Sequence, residues 1–192
     1  MRKFSIWFIA VLLAALTLGQ EKSNLGIAFS TGLLTSNKKS AQARSYYSAD
    51  FDYFLARRHI LSANFNAGKH DYYDVLLSNV PVHPETPTNA EAAHRTFSII
   101  YKYLFLDGKK FAAGLGGGIG IMTHITTYQY WEPDRGDVRQ ASWTGIVFPL
   151  RLDVNYRLSQ HFRLGVIGGV YLHPDDGAVG YYAGPRLGYI ID

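Results

Sequence analysis

Cysteine is absent from this 192-residue chain, which excludes disulfide bonds, thiolate metal sites and a lipid-anchored cysteine. Basic residues outnumber acidic ones by only four, and no run of lysine or arginine occurs. The sequence therefore gives no indication of nucleic acid as a partner. Beyond the N-terminal segment, no apolar stretch is long enough to cross a membrane as a helix, which excludes a helical membrane protein.

The one long apolar segment lies at the N-terminus and is organised like a secretory signal peptide. The chain begins Met-Arg-Lys, continues with apolar residues over 4–18, and reaches a small residue at Gly19. About 15 apolar residues are few for a spanning helix, although an uncleaved anchor is the alternative. We expect cleavage near Gly19, giving a signal peptide, 1–19, and a single domain, 20–192.

Aromatic residues are abundant, at 15% of the chain with 14 tyrosines, and three of the tyrosines open similar short turns. These turns occupy residues 53–60, 103–111 and 156–162, about 50 residues apart, which indicates an internal repeat. Each turn follows one alternating strand and opens the next. Short turns at one end and longer polar stretches at the other are typical of an up-and-down barrel that crosses a bilayer.

Period-two alternation of apolar and polar residues predicts eight strands. They are expected at residues 23–34, 44–55, 60–72, 95–106, 111–128, 142–157, 162–173 and 180–191. The predicted fold class is all-β, an eight-stranded antiparallel up-and-down transmembrane β-barrel that follows the signal peptide. An even strand number places both termini at one end. The polar stretches 35–43, 74–94, 131–141 and 174–179 are then predicted to be extracellular loops.

The polar face of these strands is predicted to fill the lumen of the barrel. It carries many glycines, which would weaken a solvated outer face but relieve crowding inside a narrow barrel. The apolar face is then expected to contact lipid, whereas a soluble lipocalin-like carrier would turn that face inward. The predicted lumen charges are Asp50, Asp52, Lys102, Arg151, Asp153, Arg157, Arg163 and Arg186.

Aromatic side chains near the strand ends are predicted to lie at the two membrane–water interfaces, where amphipathic rings are favoured. The periplasmic belt is expected to contain Tyr53, Tyr103 and Tyr156. The outer belt is expected to contain Tyr128, Trp131 and Trp143.

The chain resembles the family of small eight-stranded outer-membrane barrels, which includes OmpA-, OmpX- and OmpW-like proteins. The resemblance covers residues 23–192 and rests on the signal peptide, the turn repeat, the glycine-rich strand 111–121 and the closing strand 184–191. It implies a place in the outer membrane of a Gram-negative-type envelope, with outer-membrane lipids and the barrel-insertion machinery as partners. Family members commonly end in an aromatic residue that this machinery reads, whereas the last residue here is Asp192.

Few residues suggest chemistry. The seven histidines show no ligand spacing, and those at strand ends, including His70 and His94, are interpreted as solvated, so no metal site or cofactor is predicted. His124, Thr126 and Glu132 form the one catalytic hypothesis, an imidazole, a hydroxyl and a carboxylate resembling the set used by outer-membrane lipid A deacylases.

We expect a protein that is not an enzyme and that has a structural or interaction role through its extracellular loops. Residues 74–94 form the longest loop and the expected contact surface for an extracellular ligand. Eight strands leave room only for side chains, so the lumen is expected to be plugged. The alternatives are a narrow porin-like channel for small solutes or ions, a lipid A-modifying enzyme and the soluble carrier.

Overall fold

The structure is a computed structural model that describes residues 25–36, 41–73, 89–131 and 136–191. These residues form a closed barrel in which every strand pairs antiparallel with its sequence neighbours and β1 pairs with β8. The predicted eight-stranded antiparallel fold is confirmed. The strands are β1 (Leu25–Thr35), β2 (Gln42–Ala56), β3 (His59–Tyr73), β4 (Asn89–Asp107), β5 (Phe111–Trp131), β6 (Gly136–Arg157), β7 (Phe162–His173) and β8 (Gly177–Ile191).

Three consecutive strands are longer than the sequence pattern predicts. β4, β5 and β6 contain 19, 21 and 22 residues. Residues 89–94, predicted as part of a loop, belong to β4, because backbone pairing with β3 continues as far as Tyr73 and Asn89. Residues 136–141 likewise belong to β6. Ladder hydrogen bonds use backbone groups, so polar side chains do not end them. Residues 74–88 and 132–135 lie outside the described part of the chain.

The three repeated turns lie at the same end of the barrel as Leu25 and Ile191, and we call this the short-turn end. A backbone carbonyl in each turn accepts a hydrogen bond from a backbone N–H of the strand that follows the turn's hairpin. Leu104 donates to the Arg58 carbonyl at 2.8 Å, Arg157 to that of Lys110 at 2.7 Å, and Ile190 to that of His161 at 2.9 Å. The repeat therefore corresponds to three turns, each of which makes the same kind of backbone hydrogen bond to a neighbouring strand. The opposite end is called the loop end.

The two faces of every strand differ sharply in polarity, as the alternation predicts. On β6, Leu150 and Leu152 are 48% and 44% exposed on the outside, whereas Arg151 and Asp153 are 2% and 5% exposed in the lumen. Large apolar side chains are exposed on the outer faces of all the strands. Within the described ranges, no helix is long and apolar enough to cross a membrane.

The seam between β1 and β8 depends on two glycines that bring the backbones close together. A Cβ at Gly184 would lie 1.8 Å from the carbonyl oxygen of Thr31 and 2.7 Å from the Cα of Gly32. Real Cβ atoms do not approach backbone so closely, so any side chain at position 184 must push the closing strands apart. By contrast, a Cβ at Gly168 would be 3.7 Å from its nearest neighbour, the Tyr182 carbonyl oxygen.

We expect Gly184→Ala to destabilise the barrel by about 1–3 kcal/mol, the usual cost of forcing an extra methyl group into a packed site. Urea unfolding of the protein in detergent micelles measures this loss. Gly168→Ala is the matched control and should leave the midpoint unchanged or slightly higher. Equal stability of the two variants would contradict the close approach at the seam.

Candidate functional site

The lumen is filled by three layers of side chains. An ion network lies nearest the short-turn end, a tyrosine layer comes next, and a histidine layer lies towards the loop end. Inward residues of several strands meet at each level. The layers are the candidate functional site.

The ion network consists of three carboxylates and three cations, all at most 8% exposed, so its formal charges cancel. Each residue is directed inward by the parity of its strand, and all four contributing strands are even-numbered. The members are Asp50 and Asp52 on β2, Lys102 on β4, Arg151 and Asp153 on β6, and Arg186 on β8.

The shortest ion pair in the network crosses the lumen. Arg151 on β6 donates through both terminal nitrogens to the two Asp50 oxygens on β2, at 2.7 and 2.6 Å. Asn64 on β3 donates a further hydrogen bond to Asp50 Oδ1 at 2.7 Å. This two-point geometry fixes both planes and is the strongest arrangement available to an arginine and a carboxylate.

The other pairs connect the remaining strands. Arg186 donates to Asp52 Oδ2 at 2.9 Å and to Asp153 Oδ1 at 3.0 Å. Lys102 donates to Asp52 Oδ1 at 2.7 Å. Arg151 donates through Nε to Asp153 Oδ1 at 2.8 Å. Six of the eight predicted lumen charges are thus brought into one network.

Arg157 and Arg163 lie outside this network, towards the short-turn end. Arg157 pairs with Asp107, which also accepts a hydrogen bond from Arg57 at 2.8 Å. Arg163 lies over the Phe54 ring, 5.3 Å from its centroid. It also lines a cavity of about 30 Å³ beside the network.

The tyrosine layer was not anticipated from the sequence. Tyr46 and Tyr171 each lie 5.1 Å, centroid to centroid, from Tyr182, and all three rings are at most 5% exposed. Asn66 donates to the Tyr171 hydroxyl at 2.6 Å. The rings pack with Leu34, Met122, Val147 and Ile167. Parity along the strands directs these positions inward, although only charged residues and glycines are predicted for the inward face.

The histidine layer corrects the prediction that His70 and His94 are solvated. They are 1% and 4% exposed, and His94 Nε2 lies 2.9 Å from His70 Nδ1. His124 Nδ1 lies 3.3 Å from His94 Nδ1. The cause is the register of the strands. His94 on β4 is directly opposite His124 on β5. On its other side His94 is opposite Gly68 on β3, and His70 lies two residues further along the same face of β3. Spacing within one strand could not reveal this contact.

Two members of the catalytic hypothesis are in contact in the structure. His124 and Thr126 share the inward face of β5, and His124 Nε2 lies 2.9 Å from Thr126 Oγ1. Glu132, the third member, lies outside the described residues. The pair faces the lumen rather than the outer surface, so lipid chains outside the barrel do not reach it directly.

Trp143 is not part of an outer aromatic belt, and that prediction is wrong. Its position on β6 is inward, where its ring stacks on His124 at a centroid distance of 5.6 Å and meets His173 edge-on at 5.2 Å. Tyr53, Tyr103 and Tyr156 lie near the short-turn end, and Tyr103 is 40% exposed. Tyr128 and Trp131 belong to β5, but their side chains lie outside the described part of the structure.

Comparison with solved structures shows what this fold is similar to. Ail, the attachment invasion locus protein of Yersinia pestis, matches with a TM-score of 0.57 and 8% identity over 89% of this chain and 100% of that one. Ail in complex with the heparin analogue sucrose octasulfate matches with a TM-score of 0.51 and 11% identity, over 88% and 99%. The outer membrane protein OprG from Pseudomonas aeruginosa matches with a TM-score of 0.50 and 11% identity, over 90% and 99%.

These likenesses confirm the resemblance in fold to the small eight-stranded outer-membrane barrels. No protein-family model matches the chain, and no curated protein matches its sequence. At identities of 8–11%, shared architecture does not carry an activity across.

We expect Asp50→Asn to destabilise the barrel by about 3–5 kcal/mol, because it removes one of the three carboxylates and leaves the buried network with an uncompensated positive charge. Urea unfolding in detergent micelles measures this loss. The control is Glu91→Gln, which breaks the exposed ion pair with Lys69 and should cost at most about 1 kcal/mol. Similar small losses in both variants would contradict a network on which the barrel depends.

Proposed function

We propose that this chain is an outer-membrane β-barrel protein with a closed lumen, which acts through its extracellular end. The observation that carries the proposal is the inverted distribution of polarity. Phe29, Phe51 and Leu115 are 58–62% exposed on the outer surface, while Asp50 and Arg151 are at most 2% exposed inside. An apolar surface that continues around the barrel is suited to lipid and not to water.

Delivery to the outer membrane is part of the same proposal. Residues 1–19 act as a signal peptide that is removed near Gly19, and the barrel-insertion machinery then receives the chain. Tyr189 and Ile191 keep the outward alternation of the closing strand at 42% and 36% exposure. Residues 1–24 and 192 lie outside the described part of the chain.

The short-turn end is assigned to the periplasm and the loop end to the cell exterior. Both chain ends of the barrel, Leu25 and Ile191, are at the short-turn end, as secretion across the inner membrane requires. The long β4, β5 and β6 then extend outward beyond the apolar band, whose crossing needs only about 9–11 residues per strand.

A closed lumen is favoured over a narrow channel for ions or small solutes. The ion network joins opposite walls of the barrel. The tyrosine layer fills the lumen between this network and the loop end. The cavity beside the network is about 30 Å³. Ions would have to break short charge-assisted hydrogen bonds in order to pass.

A binding role is favoured over a catalytic one. A lipid A-modifying enzyme needs its nucleophile and base where lipid reaches them, whereas His124 and Thr126 face the lumen. Two ion pairs lie on the outside near the loop end, Arg44 with Asp71 and Lys69 with Glu91. Lipid headgroups and extracellular molecules have access to them there. Ail was solved with a heparin analogue, and we propose that the loop end here likewise contacts an extracellular ligand, with residues 74–88 as the contact segment.

Fractionation tests the location. Expressed with its own N-terminal segment in a Gram-negative host, the protein should be recovered in the outer-membrane pellet. It should migrate faster on a denaturing gel when unheated than when boiled, as closed barrels do. A soluble periplasmic pool would contradict the membrane barrel and favour the carrier.

Planar-bilayer recording tests the closed lumen. The folded protein, checked by its unheated gel migration, should give no stable conductance steps in potassium chloride, because the network and the tyrosine layer occupy the pore. Steps of constant size with reproducible ion selectivity would contradict the proposal and favour the porin-like channel.

A further inference from the structure

Two imidazole nitrogens face each other at the loop end of the lumen. His94 Nδ1 and His124 Nδ1 are 3.3 Å apart, on strands paired so that these two residues lie directly opposite. A tetrahedral zinc ion holds nitrogen ligands at about 2.0–2.1 Å. Two such ligands are therefore separated by about 3.3–3.4 Å at the tetrahedral angle. The observed separation is the one that a shared metal ion requires.

The other nitrogen of each ring is held by a hydrogen-bond partner. His94 Nε2 lies 2.9 Å from His70 Nδ1, and His124 Nε2 lies 2.9 Å from Thr126 Oγ1. A histidine that binds metal through Nδ1 carries its proton on Nε2 and must donate it. Both partners can accept that proton, through the ring lone pair of His70 and the hydroxyl oxygen of Thr126. Such outer partners are a regular feature of histidine metal sites.

The surroundings also suit a cation held by neutral imidazoles. The Trp143 ring stacks on His124 and restricts its rotation. Among the residues that the structure describes, no group of three histidine, aspartate or glutamate side chains is arranged to hold a metal ion. The site therefore offers two protein ligands, with water completing the shell. Imidazole ligands select zinc, copper or nickel over magnesium or calcium.

We propose that His94 and His124 bind a divalent transition-metal ion through their Nδ1 atoms, with His70 and Thr126 as positioning residues. When the ion binds, the proton that the two Nδ1 atoms otherwise share moves to His124 Nε2, which then donates it to Thr126, so that both imidazoles stay neutral and each Nε2 carries a proton. The site is independent of the proposed outer-membrane function. It links β4 and β5 near the loop end of the lumen.

Calorimetric titration with zinc chloride tests the proposal on the chelator-treated, untagged barrel in detergent micelles. One zinc ion should bind per chain, and His94→Gln and His124→Gln should each weaken binding by more than about tenfold. His70→Gln and Thr126→Val should weaken it by about 10–100-fold, the usual effect of losing an outer partner. His161→Gln, at the short-turn end, is the matched control and should bind as the parent does.

Copper(II) electron paramagnetic resonance gives a second readout that a folding defect does not imitate. The parent should show hyperfine splitting from two nitrogen ligands, and either ligand variant should lose one. Each variant is first confirmed as folded by its unheated gel migration. Absence of binding by the parent would leave the contact as a plain hydrogen bond between imidazoles and overturn the proposal. Undiminished binding by His94→Gln or His124→Gln would overturn it equally.

Discussion

The pairing of Asp50 with Arg151 across the lumen is the interaction on which the rest of the structure depends. An apolar outer surface confines the polar faces of the alternating strands to a narrow interior, where an unpaired charge is very costly. Three carboxylates and three cations meet this constraint together, because each charge has a partner on another strand. The alternating strands place charged side chains in the lumen, and the equal number of carboxylates and cations in the network neutralises them there.

The layers above the network follow from the same confinement. Beyond the network, tyrosine and histidine rings occupy inward positions, where they pack efficiently and offer a hydroxyl or ring nitrogens for hydrogen bonds. Tyr171 uses its hydroxyl to accept from Asn66, and the histidines are in hydrogen-bonding contact with one another. The interior therefore changes from ionic to aromatic to imidazole towards the loop end. This order places the chemically versatile imidazoles nearest the loop end.

Local pattern was enough to predict strands and faces, but contacts between strands required the register. Leu150 and Arg151 could be assigned to opposite faces because alternation along β6 is local. His70, His94 and His124 could not be brought together, since 54 residues and two hairpins separate the first from the last. Trp143 was placed by its proximity to a strand end instead of its parity. The start of β4 was missed because ladder hydrogen bonds continue through residues whose side chains are polar.

Site-directed spin labelling along β6 tests most directly whether the apolar face contacts lipid while the charged face is enclosed. The natural absence of cysteine allows single cysteines at positions 146–156 to be labelled and measured in lipid bilayers by power saturation. Oxygen, which concentrates in lipid, should relax labels at even positions, while labels at odd positions should be poorly accessible to oxygen and to a water-soluble nickel complex. Strong nickel-complex accessibility at the even positions would contradict the membrane barrel.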